Sequence, residues 1–312
     1  MRDLAIARAP SASLGAGLYE SHFLTAVDPA GGRALWLRHT TLKRPGEAAR
    51  ATVWLTWFDR AAPAPLPARV TAPDPLRGPG AAWSRSSLGE FGPGRARGAI
   101  AELAWDLSWE SRAGELAYLP ARWLYDRPVP RSNGVALAPA ASVSGSIRVT
   151  ADAPVVTLAG WEGMVGHNWG TEHAEQWSWL HAGGLGADQS GWIELILVRI
   201  RLGPLQTPWI AAGALCLDGR ILTTARRGGI RRELDGEQTT VHVPMAAGRA
   251  LELTVAAPAN VTVSWDYASP RGPGRQVRNC SVADASLRLR TPNGDLACEV
   301  RGRFAVEHGA TL

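Results

Sequence analysis

The sequence predicts an all-β protein built from two antiparallel β-barrels in tandem. Apolar residues recur with a period of two in nearly every segment, which is the pattern of half-buried strands. Asx-Gly and Pro-Gly pairs separate these segments and are typical of hairpin turns. No segment sustains the apolar spacing of an amphipathic helix. The 312 residues suffice for two barrels of about 150 residues each.

Three strands open the first predicted barrel, at residues 19–27, 33–42 and 51–58. Turns rich in Gly and Pro at 28–32 and 45–46 separate them. In the second of these strands, the period of two places Trp36 and Arg38 on one face and His39 on the other.

The segment 61–80 interrupts this pattern with six prolines, at positions 63, 65, 67, 73, 75 and 79. Because proline cannot donate a ladder hydrogen bond, we expect no ladder strand over most of the segment. An irregular loop of this length is typical of a lid or a mobile segment. Alternation returns at 103–110 and, more weakly, at 116–124 and 135–149.

The best position for a domain boundary is 151–154, which divides the chain into barrels at 1–153 and 154–312. After the central stretch described below, strands are predicted in the second barrel at 192–202, 209–217, 239–243, 250–256, 261–267, 285–290 and 296–306. Asp-Gly and Asn-Gly pairs at 218–219, 235–236 and 293–294 mark the hairpins.

Composition excludes several classes of protein. A hydrophobic content of 46% and a charged content of 20% are those of a globular chain, and no apolar run approaches the ~20 residues of a membrane helix. Asp3 and Arg8 interrupt the segment where a signal peptide would be apolar, so we expect a cytoplasmic protein. The three cysteines fit neither a disulfide framework nor a zinc knuckle, and buried thiols are expected.

The net charge of +5 is carried almost entirely by arginine. The one tight basic cluster surrounds two glycines and is interpreted as a solvated loop; it comprises Arg226, Arg227, Arg231 and Arg232. No recognition helix or RNA-binding motif accompanies it, so we expect no nucleic-acid partner. The expected partner is a hydrophobic small molecule, and the chain could also make transient contact with a membrane surface.

The stretch 160–182 concentrates aromatic and titratable residues between glycines. As two strands around a turn, it places Trp161, His167 and Trp169 on one face, and Trp177, Trp179 and His181 on one face of the next strand. If these faces meet, they form a cavity walled by indoles and containing imidazoles. The sequence therefore predicts the functional site here.

The run 163–170, G-M-V-G-H-N-W-G, followed by Trp177 and Trp179, resembles the G-x-x-x-H-N-W-G signature of the carotenoid 1,2-hydratase (hydroxyneurosporene synthase) family. The segments 34–38 and 53–59 also resemble the first domain of that superfamily, which includes tocopherol cyclase and cofactor-free Diels–Alderases. The resemblance implies two lipocalin-like barrels in tandem. In the hydratases an acidic residue often precedes the histidine, whereas Gly166 stands here, which disfavours strict carotenoid hydration.

Hydration or cyclisation of an alkene needs a proton donor and stabilisation of a cation. A buried carboxyl serves as the donor because burial raises its pKa, and the candidates are Glu162 and Glu194, the latter within an apolar run. His167 and Asn168 could donate hydrogen bonds to a substrate carbonyl. Indole faces stabilise a developing cation, which makes Trp161, Trp169, Trp177, Trp179 and Trp192, together with His181, the predicted substrate-binding residues.

Each of these residues also has a structural interpretation. The tryptophans could simply fill the barrels, and His167 and Asn168 could tie a turn to the backbone. Glu194 could pair with Arg199 or Arg38. A zinc site built from His167, His173 and His181 with Glu172 or Glu175 is a further alternative, although the spacings match no standard zinc signature.

The sequence thus predicts a cofactor-independent cyclase or hydratase that acts on an apolar polyene, isoprenoid or polyketide between the two barrels. No metal or cofactor is expected for this reaction. A carrier that binds a hydrophobic molecule unchanged is the alternative, which the glycine at 166 favours. A metal-dependent hydrolase is the second alternative.

Overall fold

The computed structural model describes residues 17–73, 82–127, 130–225 and 228–311. Their regular structure is almost entirely antiparallel β, in two large sheets. Two short 3-10 helices interrupt it, at Arg122–Asp126 and Ala259–Val261. The described residues contain no helix long and apolar enough to cross a membrane.

The first sheet is built from the N-terminal half of the chain. Its strands are β1 (Leu18–Val27), β2 (Arg33–Lys43), β3 (Arg50–Asp59), β4 (Leu66–Ala72), β5 (Ser84–Ser86), β6 (Gly89–Gly92), β7 (Arg95–Ile100), β8 (Leu103–Ser111), β9 (Leu116–Ala117), β10 (Ser132–Arg148) and β11 (Val156–Gly170). They lie in the order β4-β3-β2-β1-β11-β10-β8-β7-β6-β5, and β9 pairs with β10.

The second sheet follows from residue 176 onward. The strands here are β12 (Gln176–Leu185), β13 (Gly191–Arg199), β14 (Arg201–Leu202), β15 (Leu205–Gln206), β16 (Ile210–Leu217), β17 (Arg220–Thr223), β18 (Arg231–Asp235), β19 (Gln238–Met245), β20 (Arg249–Ala256), β21 (Val263–Tyr267), β22 (Arg275–Arg290) and β23 (Leu296–Thr311). The order is β17-β16-β13-β12-β23-β22-β20-β19-β18, with β21 paired to β22, while β14 and β15 form a separate hairpin.

The second sheet curls back on itself. A bridge between Thr224 and Met245 joins the end of β17 to β19, so the two ends of the sheet come together. Side chains alternate across each strand, and those of the inner faces form the apolar cores of the barrels. The predicted fold class, two lipocalin-like antiparallel barrels in tandem, is confirmed.

The change from one sheet to the other does not coincide with the division expected at 153/154. Strand β11 lies after that position, yet it pairs with β1 and β10 in the first sheet. The changeover falls between Gly170 and Gln176. Strands β1 and β10 therefore do not pair with each other in the first sheet, because β11 lies between them and pairs with both.

The expectation of no ladder strand in the proline-rich segment is wrong for Leu66–Ala72, which forms β4 and pairs with β3. This strand lies at the edge of the first sheet, where one side of the backbone needs no hydrogen-bond donors, so Pro67 is tolerated. Residues 74–80 of that segment lie outside the described part of the chain.

Two further local predictions need correction. The weak strand expected at 116–124 is only the two-residue β9 followed by a 3-10 helix, and strands β5 to β7 were not predicted. Of the arginine cluster expected in a loop, Arg231 and Arg232 begin strand β18, whereas Arg226 and Arg227 lie outside the described residues. Cys216 and Cys280 are buried free thiols, as expected, and Cys298 is partly exposed.

Candidate active site

The outer face of the second sheet packs against the first barrel. On β12, alternation sends Leu180 into the core of the second barrel and leaves Trp177, Trp179 and His181 on the opposite face. The ring of Trp179 meets the ring of Phe23, from β1, edge to face at 5.9 Å. These three side chains share one face, as predicted, and they lie between the barrels.

A carboxylate lies at the centre of this interface. Glu194, on β13, is fully buried and forms hydrogen bonds with three side chains, those of Tyr118, Trp179 and His181. We call these four residues the Glu194 cluster. Its Oε1 accepts hydrogen bonds from the Trp179 Nε1–H at 2.7 Å and from the Tyr118 hydroxyl. Its Oε2 lies 3.0 Å from Nδ1 of His181. These donors offset the cost of burying the carboxylate, and neither Arg38 nor Arg199 pairs with it.

Tyr118 is the hydroxyl donor of the Glu194 cluster. Burial and the adjacent Glu194 raise the pKa of Tyr118 well above its ordinary value, so the phenol stays protonated and donates a hydrogen bond. Because Nδ1 of His181 faces Glu194, the other ring nitrogen is left for a reaction partner. That atom, Nε2, is buried and has no hydrogen-bond partner among the described residues. The arrangement is that of a carboxylate-oriented imidazole that can accept or donate a proton at Nε2.

Two of the predicted catalytic residues lie on the outer face of β11, beside this cluster. A Cβ added at Gly134 would lie 3.0 Å from the ring of Tyr118 and 3.9 Å from Cβ of Asn168, so these two side chains are neighbours. The amide oxygen Oδ1 of Asn168 is buried without a hydrogen-bond partner in the described structure. Glu162, by contrast, forms an ion pair with Arg112.

A cleft of about 380 Å³, which we call the junction cleft, opens at the same interface. Its aromatic residues come from both barrels: Tyr19 stacks on His173 at 3.9 Å, and Trp54 meets Tyr267 edge to face at 5.4 Å. Burial, with smaller contributions from two nearby arginines, lowers the pKa of His173 to about 3, so its imidazole is neutral.

Trp177 connects the junction cleft to the Glu194 cluster. Its ring stacks on Tyr267 and His173, both in the cleft wall, at 6.3 and 6.1 Å. It follows Trp179 along the same face of β12, two residues away. Its Nε1–H donates to Glu307 at 3.0 Å, and the Tyr267 hydroxyl donates to the same carboxylate at 3.0 Å. The indole of Trp177 therefore lies between the junction cleft and the Glu194 cluster.

The face of β11 that carries Trp161, His167 and Trp169 does not meet the face of β12. His167 is fully buried inside the first barrel, where its Nε2 lies 3.0 Å from Oε1 of Glu20. It stacks on His22 at 4.0 Å and on Trp169 at 4.5 Å. Trp161 belongs to the same barrel core. The expected cavity around position 167 is thus occupied by stacked rings, because β11 and β12 belong to different sheets.

The remaining predicted residues are also separated. Trp192 packs between the barrels with Ala140 and Cys216. The three histidines proposed for a zinc site lie in three different environments, and the described residues contain no group of three or more His, Cys, Asp or Glu side chains placed to hold a metal ion. The metal-dependent alternative therefore has no ligand set among them.

Four residues of this interface were missed by the sequence analysis: Tyr118, Arg38, Tyr267 and Glu307. The signal for Arg38 was available, since a charged residue at a buried position of an apolar strand is costly without a purpose. Tyr118 lies in an irregular segment whose position depends on tertiary structure, and no local pattern indicated it.

No family model matches the sequence. Two uncharacterized proteins of Mycobacterium tuberculosis, Rv0493c and MT0513, are each 31% identical to it over 173 residues, or 54% of this chain and 50% of theirs. The chain thus spans about half the length of the curated relatives it matches.

Solved structures extend the comparison to the whole chain. CghA in complex with Sch210972 matches with a TM-score of 0.63 and 12% identity, over 95% of this chain and 89% of that one. Kievitone hydratase from Nectria haematococca matches with a TM-score of 0.53 and 10% identity, over 100% and 93%. A putative AttH from Nitrosomonas europaea matches at 0.58 and 14%, over 94% and 93%. The chain has the fold of these proteins. At such identities, the likeness establishes the fold alone.

Proposed function

We propose that this protein is an enzyme, a cyclase or hydratase that converts an apolar polyene, isoprenoid or polyketide between its two barrels. The observation that carries the proposal is the Glu194 cluster: a fully buried carboxylate orients an imidazole whose Nε2 has no partner in the described structure. A buried polar atom without a partner is rare in folded proteins and is frequent at functional sites. The proposal assigns no cofactor to the reaction.

In this proposal His181 transfers the proton. Cyclisation or hydration of an alkene begins with proton delivery to carbon or with polarisation of a conjugated carbonyl. Protonated His181 can deliver the proton from Nε2, while Glu194 stabilises the imidazolium that carries it. The neighbouring Asn168 can accept a hydrogen bond from a substrate hydroxyl or an attacking water at its Oδ1, which has no partner in the described structure.

The junction cleft has the size of a small-molecule site. Its volume of about 380 Å³ lies within the range of small-molecule sites, roughly 300–1,000 Å³. The rings of Trp54 and Tyr267 belong to its wall, and Trp177, which stacks on Tyr267, lies on the side of the Glu194 cluster. The solved kievitone hydratase, which shares the fold, is consistent with this class of reaction.

The proposal is tested by trapping the substrate. The protein and its Glu194→Gln variant are expressed in the producing cell, purified, and analysed by native mass spectrometry, with the bound molecules extracted and identified. We expect the variant to retain an unconverted precursor and the native protein to hold its product or nothing. Glu110→Gln, on the exposed face of β8, is the matched control and should behave as the native protein. The same converted molecule in both the native protein and Glu194→Gln would refute the assignment.

A second candidate function is a carrier for a hydrophobic molecule. It is favoured by position 166, where a Cβ would lie 2.3 Å from the ring of Phe23, so the acid that often stands there in the hydratases has no space. In the trapping experiment a carrier would retain one unaltered molecule in the native protein and in every variant. Conversion by the native protein alone would exclude the carrier.

A further inference from the structure

The junction cleft is rich in arginine. Four arginines line it, Arg38, Arg44, Arg50 and Arg69, against three acidic residues, Glu20, Glu47 and Asp266. The carboxylate of Glu20 bonds to His167 in the core of the first barrel. The other two acids are exposed, as are three of the four arginines, so solvent screens these charges alike and the buried Arg38 dominates within the cleft.

Arg38 differs from the other arginines of the cleft because it is buried, at 5% exposure, whereas the others are exposed. It lies on β2, with Trp36, on the face turned toward the second sheet. Its Nε–H donates to the hydroxyl of Ser21 at 2.9 Å, and its guanidinium carbon lies 4.0 Å from the ring centroid of Tyr267. It forms no ion pair with a carboxylate of the described chain.

Burying a guanidinium without an anion is unfavourable. A hydroxyl and an aromatic face recover only part of that cost. Tyr267 and Ser21 therefore act chiefly to orient the guanidinium, since Arg38 keeps further N–H donors and the planar fork that matches a carboxylate. An arginine held in this way beside a cavity is prepared for an anionic ligand.

The walls of the cleft define the rest of that ligand. Arg38 lies over Tyr267 and Arg69 over Trp54, at 4.0 and 5.0 Å, and the two rings contact each other at 5.4 Å. The cleft thus joins a buried cationic group to aromatic rings within an otherwise polar lining. A neutral hydrocarbon would use only the rings, and a small inorganic anion would use only the charge.

We propose that the junction cleft binds an apolar molecule that carries a carboxylate, and that Arg38 receives this carboxylate. The inference rests on the proposed function, because it names the substrate class of the same interface. It assigns Arg38 to recognition of the substrate, at a distance from the proton transfer assigned to His181.

The test is a comparison of three ligands with one hydrocarbon skeleton: geranic acid, methyl geranate and geraniol. Binding to the full chain is measured by isothermal titration calorimetry at pH 7.5, where the acid is ionised. We expect the acid to bind at least about 10-fold more tightly than the ester or the alcohol, which is the effect of one charge-assisted hydrogen-bonded pair. Equal affinities for the three ligands would overturn the proposal.

Variants at position 38 locate the effect. Arg38→Met is expected to abolish the preference for the acid while leaving the affinity for methyl geranate within about threefold. Arg38→Lys keeps the charge without the planar fork and should retain part of the preference, which keeps the test decisive if the methionine variant does not fold. Arg95→Met, in an exposed ion pair with Asp106 far along the first sheet, is the control and should bind as the native protein. A preference for the acid that persists in Arg38→Met would refute the role of Arg38.

Failure of this proposal is distinguishable from failure of the proposed function. Calorimetry measures binding and the trapping experiment measures conversion, and Glu194→Gln should alter only the second. An ester that binds as well as the acid, together with a precursor trapped by Glu194→Gln, would overturn the carboxylate and retain the enzyme. An acid that binds through Arg38 while the Glu194→Gln variant still converts its ligand would retain the carboxylate and overturn the role of Glu194.

Discussion

The protein contains two buried Glu–His pairs of the same geometry in different surroundings. In the first barrel His167 lies 3.0 Å from Glu20, and between the barrels His181 lies 3.0 Å from Glu194. The first imidazole is stacked on other rings within a packed core. The second keeps a ring nitrogen without a partner in the described structure. The pairing of a carboxylate with an imidazole is therefore common to both pairs, and the available ring nitrogen is what distinguishes the second from the first.

The largest expected effect separates these two pairs directly. His181→Asn preserves a donor at the position of Nδ1, and with it the bond to Glu194, but removes Nε2. His167→Gln preserves a donor at the position of Nε2, and with it the bond to Glu20. We expect conversion of the bound molecule in the producing cell to fall about 100-fold or more in His181→Asn, which is the range for loss of a general acid or base. His167→Gln should change conversion by less than about threefold.

Thermal unfolding followed by circular dichroism is the companion measurement, since both variants must remain folded for the comparison to count. The reverse pattern of conversion, with His167→Gln inactive and His181→Asn active, would assign the chemistry to the first barrel.

Gly166 precedes His167 on β11 and faces the opposite side of the sheet. On that outer side it lies beside Phe23 of the neighbouring strand β1. Gly166→Ala introduces a Cβ 2.3 Å from the ring of Phe23, and that ring contacts Trp179, a donor to Glu194. We expect a loss of about 2 kcal/mol in the free energy of unfolding, as is typical of overpacking. The disturbance should reach the Glu194 cluster and reduce conversion. Gly114→Ala, where an added Cβ meets nothing within 4 Å and the backbone is not left-handed either, makes the same change without the contact and serves for calibration.

Each barrel also contains a buried imidazole that stays neutral, as His173 does in the cleft, and these groups predict a loss of stability in acid. Burial lowers the pKa of His39, in the first barrel, and of His308, in the second, to about 3, from about 6.5 in the unfolded chain. Between these values the unfolded state binds protons that the folded state does not, so stability falls as the pH falls from 6.5 toward 3. The melting temperature should therefore drop by about 4 °C or more between pH 7 and pH 5.

The share of each barrel in this acid sensitivity is measured by substitution. His308 accepts or donates hydrogen bonds with Ser178 and Thr239, at 2.9 and 2.8 Å, and His308→Gln retains polar atoms for both. His39→Gln replaces the imidazole of the first barrel, whose Nε2 has no hydrogen-bond partner in the described structure, by an amide that does not titrate. Each variant should show a shallower dependence of the melting temperature on pH than the native protein. A native melting temperature that is constant from pH 7 to pH 5 would contradict both assignments.

The smallest expected effect comes from Tyr118→Phe, which removes one of three bonds to Glu194. The ring remains, and the Trp179 and His181 bonds persist, so we expect a loss of about 1 kcal/mol in the free energy of unfolding. Conversion should fall by about 10-fold, less than in His181→Asn. Tyr125→Phe, whose hydroxyl donates to the backbone of Gly134 at 2.9 Å, loses a similar bond outside the cluster and should convert normally. Equal conversion in the two variants would exclude Tyr118 from the site.

Much of the fold could be predicted because the evidence for it is local. Period-two alternation and Asx-Gly turns located most strands, and the tandem barrels follow from them. The alternation within 160–182 was also read correctly, since Trp177, Trp179 and His181 share a face. Glu194 was identified as a buried carboxylate from its apolar neighbours alone.

The rest of the site could not be predicted because it depends on which sheet each strand joins. A period of two says which residues share a face but not what the face meets. Strands β11 and β12 are consecutive in sequence but belong to different sheets. The imidazoles of His167 and His181 therefore lie in different environments. Tyr118 and Tyr267 reach the interface from segments distant in sequence, which no spacing rule connects.

The pairing of β1 with β11 also governs how the chain can be assembled. During synthesis, strand β1 (Leu18–Val27) cannot pair with β11 until Val156–Gly170 has been translated, about 140 residues later. A nascent polypeptide ending at residue 153 has both β1 and β10 exposed as unpaired edges, which are prone to associate with other chains. A fragment cut there should aggregate during synthesis, whereas one extended past Gly170 carries the strand that joins those edges.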